Sequence, residues 1–166
     1  HLIDHGHVNI ALVTGSIRKD GVMEKRFLGY KRALKEAGLF YNPDHVFEDS
    51  VSYEYGQEAA REIADHHPEI TAVFAVSDMV ALGVMSGLAE TGRKVPDDVS
   101  VIGFDDIPMA RMCNPPLTTI RQDGVRRGMM AADRLLESIA DASENRAEPT
   151  IMPISLVERG TVRKLN

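Results

Sequence analysis

Residues 71–92 read TAVFAVSDMVALGVMSGLAETG, and VSVIGFDD follows at 99–106. TAVFAV is apolar and valine-rich, the composition of a short strand buried on both faces. Ser77 and Asp78 then place side-chain oxygens where the free N–H groups of a new helix need acceptors. VALGVMSGLAETG (80–92) reads as that helix and stops at Gly92, a residue suited to the left-handed turn that closes a helix. VSVIGF (99–104) is a second buried strand, ending in Asp105 and Asp106. Strand, helix and strand in such close succession predict parallel pairing through a right-handed crossover. The fold class is therefore α/β, a parallel sheet with helices on both faces.

The same rhythm extends toward the start of the chain. NIALVT (9–14) is a strand stopped by Gly15, and residues 22–38 form an amphipathic helix with Phe27, Tyr30, Leu34 and Ala37 at three- and four-residue spacing, closed by Gly38. A short strand near 45–48 precedes a helix over 53–66, with Ala59, Ala60, Ile63 and Ala64 on one side and Pro68 beyond it. After Asp106 the rhythm breaks. A loop (107–116) ends in Pro115-Pro116, LTTI (117–120) is strand-like, and a helix over 123–141 carries Val125, Met129, Ala132, Leu135, Leu136 and Ile139. The polar stretch DASENRAEP leads to IMPISLVE (151–158), where Pro153 divides two short strands. Such a pattern suits a chain that leaves one sheet, visits another and returns.

Bulk properties narrow the function classes. The 166 residues are 43% hydrophobic and 27% charged, ordinary for a globular protein, with a formal net charge of −6. DNA and membrane surfaces are polyanions and select basic faces, so these residues are poor partners for either. Arg126-Arg127 reads as a solvated helix face. No apolar run is long enough to span a bilayer. Cys113 is the single cysteine, so no intrachain disulfide forms, which favours a cytoplasmic location. Phosphate-binding glycine loops and the G-x-S-x-G elbow are missing; GVMSG (83–87) has the wrong spacing. His1 and His5 are four apart, but Gly6 sits where a helix would end, so HLIDHGH (1–7) is expected to close a helix rather than hold a metal. His66-His67 closes another, where imidazolium charge suits the dipole. No cofactor or metal is expected.

Ligands of open parallel sheets sit at the carboxyl ends of the strands, where loops and helix N-termini converge. Arg26, Ser77, Asp105 and Asp106 all fall there: one guanidinium, one hydroxyl and two carboxylates. That set suits a neutral polyhydroxylated or heterocyclic ligand held by paired hydrogen bonds. Each residue also has a plainer role. Ser77 and Asp78 are good helix caps, Asp105 and Asp106 suit a turn, and the aspartate pair could hold Mg²⁺ in an enzyme.

Several stretches together resemble the LacI/GalR family of transcriptional repressors: HLIDHGHVNIALVTG, KRFLGYKRALKEAG, the run from Thr71 to Asp106, NPPLTTIRQD and PISLVERGT. The resemblance implies a periplasmic-binding-protein-like (type I) core of two subdomains around an effector cleft. Residues 1–106 would form nearly all of the C-terminal subdomain, 107–116 a crossover loop, 117–150 part of the N-terminal subdomain, and 151–166 the return strands and tail. It implies an effector-sensing repressor core, not an enzyme, that binds a small, sugar-like molecule and acts as a homodimer. Operator DNA would be held by an N-terminal helix-turn-helix outside these residues. By the same resemblance Arg26, Ser77 and Asp105 contact effector, and Asp20 falls at a variable specificity position. Val51 stands where many members place an aromatic ring, which weakens stacking. Leu82, Met85, Met109, Met112 and Cys113 would face the dimer partner. The competing readings are a sugar-binding protein of a transport system with the same fold and, behind it, a Mg²⁺-dependent α/β enzyme using Asp105 and Asp106.

Overall fold

The computed structural model describes residues 1–140 and 150–165; the polar stretch 141–149 lies outside the described residues. The elements run β1 (Ile10–Gly15), α1 (Val22–Glu36), β2 (Val46–Asp49), α2 (Tyr53–His66), β3 (Ala72–Ala75), α3 (Asp78–Glu90), β4 (Ser100–Asp105), β5 (Thr118–Gln122), α4 (Gly124–Ala140) and β6 (Ile154–Val157). They build one six-stranded sheet in the order β2-β1-β3-β4-β5-β6. The first five strands are mutually parallel, and β6 returns antiparallel to β5 with Ile120 opposite Leu156.

Two layers cover the sheet because its central strands are apolar on both sides. Ile63, Val80, Val84 and Leu88 of α2 and α3 pack against Val73 and Val101 on one face. Tyr30 and Leu34 of α1 pack against Leu12, Ala72 and Ile102 on the other. Each fully buried Leu or Ile contributes roughly 1.5–3 kcal/mol of transfer free energy. Gly38 and Gly92 take positive φ (69° and 81°) directly after α1 and α3, the left-handed turn read for them from the sequence. HLIDHGH forms a run of turns ending at Gly6, and His7 then buries itself. Its Nδ1 lies 3.0 Å from Thr71 Oγ1, and its Nε2–H donates to the Arg163 carbonyl at 3.1 Å.

Two features were not expected. The sheet does not break at Asp106: β5 bonds in register to β4, with Ile102 beside Thr118, and β6 extends the same sheet. The second of the two strands expected around Pro153 forms, but Ile151 and Met152 do not make the first. The reason is tertiary. Thr118 N–H donates to Thr161 Oγ1 at 2.9 Å, and Thr161 Oγ1 donates to Val101 O at 2.6 Å, tying β5 and the chain after β6 to β4. In contrast, α4 buries none of its residues, and Val125, Met129, Leu135, Leu136 and Ile139 stand exposed.

Helices α2 and α3 meet backbone to backbone. A Cβ added at Gly83 would lie 2.0 Å from Tyr53 O, and one at Gly56 would lie 2.3 Å from Val80 O. Beside this seam, Asp78 is fully buried; Thr119 Oγ1 donates to its Oδ1, and Ile107 N–H donates to Oδ2 at 2.8 Å. Burial pushes its carboxyl pKa up against these two hydrogen bonds. Asp78 thus fastens the start of α3 to β5 and to the loop after β4.

Candidate functional site

In the order β2-β1-β3 the chain reverses direction across the sheet between β1 and β3. Helix α1 goes to one face, α2 and α3 to the other, and a crevice opens at the carboxyl ends of the two strands. Arg26 lies in this crevice. Rooted one turn inside α1, its guanidinium donates to the carbonyl of Val76, the residue just past β3, and stacks 3.9 Å from the centroid of the Phe104 ring. Burial pulls its pKa down, and the charge of Asp105 pushes it back up. The group stays cationic at neutral pH, with part of its donor fork unspent.

Asp105 closes β4 in an unusual backbone state, φ +119°, and Asp106 follows at +55°. Non-glycine residues held at positive φ carry local strain, which gathers at ligand sites. Gln122 Nε2, at the end of β5, donates to Asp105 Oδ1, and Arg127 donates to Gln122 Oε1. Ser77 caps α3, its Oγ accepting from Val80 N–H at 3.2 Å.

Arg26 and Asp105 thus lie close enough to interact electrostatically, and Ser77 directly follows Val76, whose carbonyl takes the Arg26 guanidinium. Asp106 behaves differently. It accepts from Arg121 Nε at 2.6 Å and from Arg159, and although burial opposes ionisation these two arginines hold its carboxyl below the usual range. A carboxylate so neutralised is a poor Mg²⁺ ligand. Asp20 is exposed in the β1–α1 turn at φ +63°, with its N–H on Glu24 Oε2 at 2.7 Å. Val51 packs on Gly15 at the end of β1, where an added Cβ would come within 2.5 Å of its Cγ2. Phe104 and Gln122 escaped the sequence reading. Arg127 stands on the exposed helix face expected of it and donates to Gln122 from there. The available signal was position: Phe104 and Gln122 sit at strand ends on the rim already singled out.

The sequence profile of the periplasmic binding protein-like domain matches residues 1–162. The chain belongs to that family. Within it this is a LacI/GalR-type core. The chain is 43% identical over 166 residues to the HTH-type transcriptional repressor PurR of Vibrio campbellii, covering all of this chain and 49% of that protein. The PurR of Glaesserella parasuis is 40% identical over 171 residues. Among solved structures, a LacI-type regulator from Bacillus cereus subsp. cytotoxis superposes with a TM-score of 0.93 at 31% identity, over 99% of this chain and 58% of that one. A LacI family regulator from Enterococcus faecium with bound ribose gives 0.87 at 32% identity, over 100% of this chain and 60% of that one. The chain spans about half the length of the curated relatives it matches.

On this LacI/GalR-type lobe, the residues assigned to a subunit face divide in two. Met109 and Met112 stand exposed on the turn after β4. Met85 and Cys113 pack against the core, with the Cys113 thiol near the carbonyls of Ala110 and Pro115, and Leu82 is half-buried on α3.

Proposed function

We propose that this chain is the effector-sensing part of a LacI-type transcriptional repressor, and that its crevice is one wall of the effector cleft. One observation carries the reading. Arg26, anchored on Val76 and Phe104, and Asp105, anchored on Gln122, face the β1/β3 switch point as a fixed cation and a fixed anion. A pre-set donor fork and carboxylate suit adjacent hydroxyls or ring heteroatoms of a small neutral ligand. Ser77 adds a hydroxyl, Asp20 and Val51 form the variable lip, and the lack of a ring at Val51 favours a polyhydroxylated ligand over a flat one. The related E. faecium regulator carries ribose, and a Lactobacillus casei relative carries sucrose.

In this reading the six-stranded sheet with α1, α2 and α3 forms one subdomain, and the exposed face of α4 engages a second. Effector binds across the two and selects one hinge angle. Met109 and Met112, with Leu82, Met85 and Cys113 behind them, form the homodimer face that passes the angle on. The lobe is acidic, so operator DNA is held by a separate helix-turn-helix. The protein acts in the cytoplasm and catalyses no reaction. No described helix is long and apolar enough to cross a membrane.

The test uses the full-length protein in a thermal-shift screen of sugars and nucleosides, then calorimetry on the best ligand. Arg26→Ala and Asp105→Asn are each expected to weaken binding at least 30-fold, about 2 kcal/mol for a charged hydrogen bond, with unfolding midpoints little changed. Undiminished affinity in both variants refutes the assignment.

A further inference from the structure

At the opposite end of the sheet from the crevice, three side chains converge that the effector reading does not use. His45 is the last residue of the short 3-10 turn Pro43–His45 leading into β2, His67 is the C-cap of α2, and Glu69 lies between α2 and β3. His45 Nε2 lies 3.1 Å from Glu69 Oε1, and His67 Nδ1 lies 3.5 Å from the same oxygen. We propose that these three residues form a binding site for a divalent transition-metal ion of the Zn²⁺ class, remote from the effector crevice.

Geometry supports the assignment. Zn²⁺ binds imidazole nitrogen and carboxylate oxygen at about 2.0–2.1 Å, so the edge of its tetrahedron is about 3.3–3.4 Å. The two observed nitrogen–oxygen separations, 3.1 and 3.5 Å, bracket that edge. All three ligand atoms lie within 4.8 Å of one another, so the remaining edge needs to close by at most about 1.4 Å. The two imidazoles meet at 86° with centroids 6.0 Å apart, an orientation that lets two lone pairs converge. An ion seated there takes both lone pairs, each ring keeping its proton on the other nitrogen. Two histidines and one glutamate leave the fourth position for water.

The ligands are also held in advance. The His45 side chain is 7% exposed and that of His67 19%. Phe47 meets the His67 ring edge-on at 5.6 Å. Backbone bonds from His67 N–H to Ile63 O and from Ile70 N–H to His67 O, both 3.1 Å, fix the turn that carries His67 and Glu69. Glu69, with 43% of its side chain exposed, gives the ion an entry path. His45 precedes β2 and Glu69 precedes β3, and these strands flank β1 on its two sides. The ion therefore staples the two neighbours of β1 across its start. Its role is to brace the lobe without touching effector.

The test is titration of the full-length, metal-stripped protein with Zn²⁺ alone and with Co²⁺ alone, read by calorimetry, visible absorption and thermal unfolding. Expected are saturable binding of one ion at this site and a tetrahedral Co²⁺ band. The midpoint should rise by roughly 5–10 °C when free ion exceeds its Kd about 100-fold. Glu69→Gln, at an exposed position, and His67→Asn should fold normally yet bind at least 10-fold more weakly and lose the Co²⁺ band, whereas His5→Ala should change nothing. Absence of saturable binding overturns the proposal, as does affinity within threefold of the parent in both Glu69→Gln and His67→Asn. Loss of binding in His5→Ala alone would place the ion elsewhere and overturn it equally.

Discussion

Gly83→Ala tests the α2–α3 seam in a way helix propensity cannot imitate. Alanine is the better helix former, so on propensity alone the substitution should stabilise α3 by about 0.5–1 kcal/mol. The new Cβ, however, would lie 2.0 Å from the Tyr53 carbonyl, where ordinary contact begins at 3.4 Å. That carbonyl is backbone inside a helix and has no rotamer to escape into. The helices must therefore part by about 1.4 Å at this point. A radial gap of roughly 0.5–1 Å already forfeits a quarter to a half of each dispersion contact. The seam is flanked by Ala59, Ala60, Ile63, Val80, Val84 and Leu88, all buried. Overpacking of this kind typically costs about 1–3 kcal/mol, and a clash against backbone belongs at or above the upper end. The net loss should be about 2–4 kcal/mol, a fall in unfolding midpoint of roughly 5–15 °C. Urea denaturation followed by circular dichroism reads it directly. Gly29→Ala, in α1 with nothing within 4 Å of the new carbon, is the matched control and should gain up to about 1 kcal/mol. A Gly83→Ala protein as stable as the parent would show that the helices do not meet backbone to backbone.

Two further perturbations address the polar interior. Arg159 has 14% of its side chain exposed and bridges Asp106 to the Leu117 carbonyl; Arg159→Ala should cost about 3 kcal/mol because it leaves Asp106 under-compensated. Arg61→Ala, which breaks a half-exposed pair with Glu90, should cost less than about 1 kcal/mol, and equal losses in the two denaturation curves would contradict the argument. His7 supplies a pH signature, since burial holds its pKa below the ordinary 6.5. The unfolded chain then takes up the proton first, so this contribution to stability is complete above about pH 6.5 and is lost as pH falls through the lowered native value. Denaturant midpoints at about pH 7.5 and 5.5 should differ less in His7→Gln than in the parent; an unaltered difference would remove His7 as the source.

The sequence was most informative where local pattern and tertiary need coincide. TAVFAV and VSVIGF had to be strands because both their faces are covered, and Gly38 and Gly92 had to end helices because the chain turns left-handed there. β5 was harder to place. Its leading residues are threonines, a composition equally at home at a sheet edge or in a second sheet. What holds them in this one is Thr119 on Asp78 and Thr118 on Thr161, pairings between residues about forty apart in the chain. The rim was legible as a place, since strand ends are predictable, and Arg26, Ser77 and Asp105 all lie on it. The supports were not legible. Phe104 under Arg26 and Gln122 on Asp105 depend on which strands are neighbours. The same holds for His45, brought to His67 and Glu69 by the flanking of β1.

The glycine seam and the Asp78 anchor have a consequence for how binding preference can change. Together they immobilise the start of α3, so Ser77 inherits its position from the frame. The loops bearing Asp20 and Val51 are held instead by exposed hydrogen bonds, such as Ile17 N–H on Glu48 and Asp20 N–H on Glu24, and both residues are exposed. Recognition and architecture are therefore separately heritable in this lobe. Under the effector reading, substitutions at position 51, and at position 20 those such as Gly and Asn that accept its φ of +63°, should change ligand preference while the unfolding midpoint stays put.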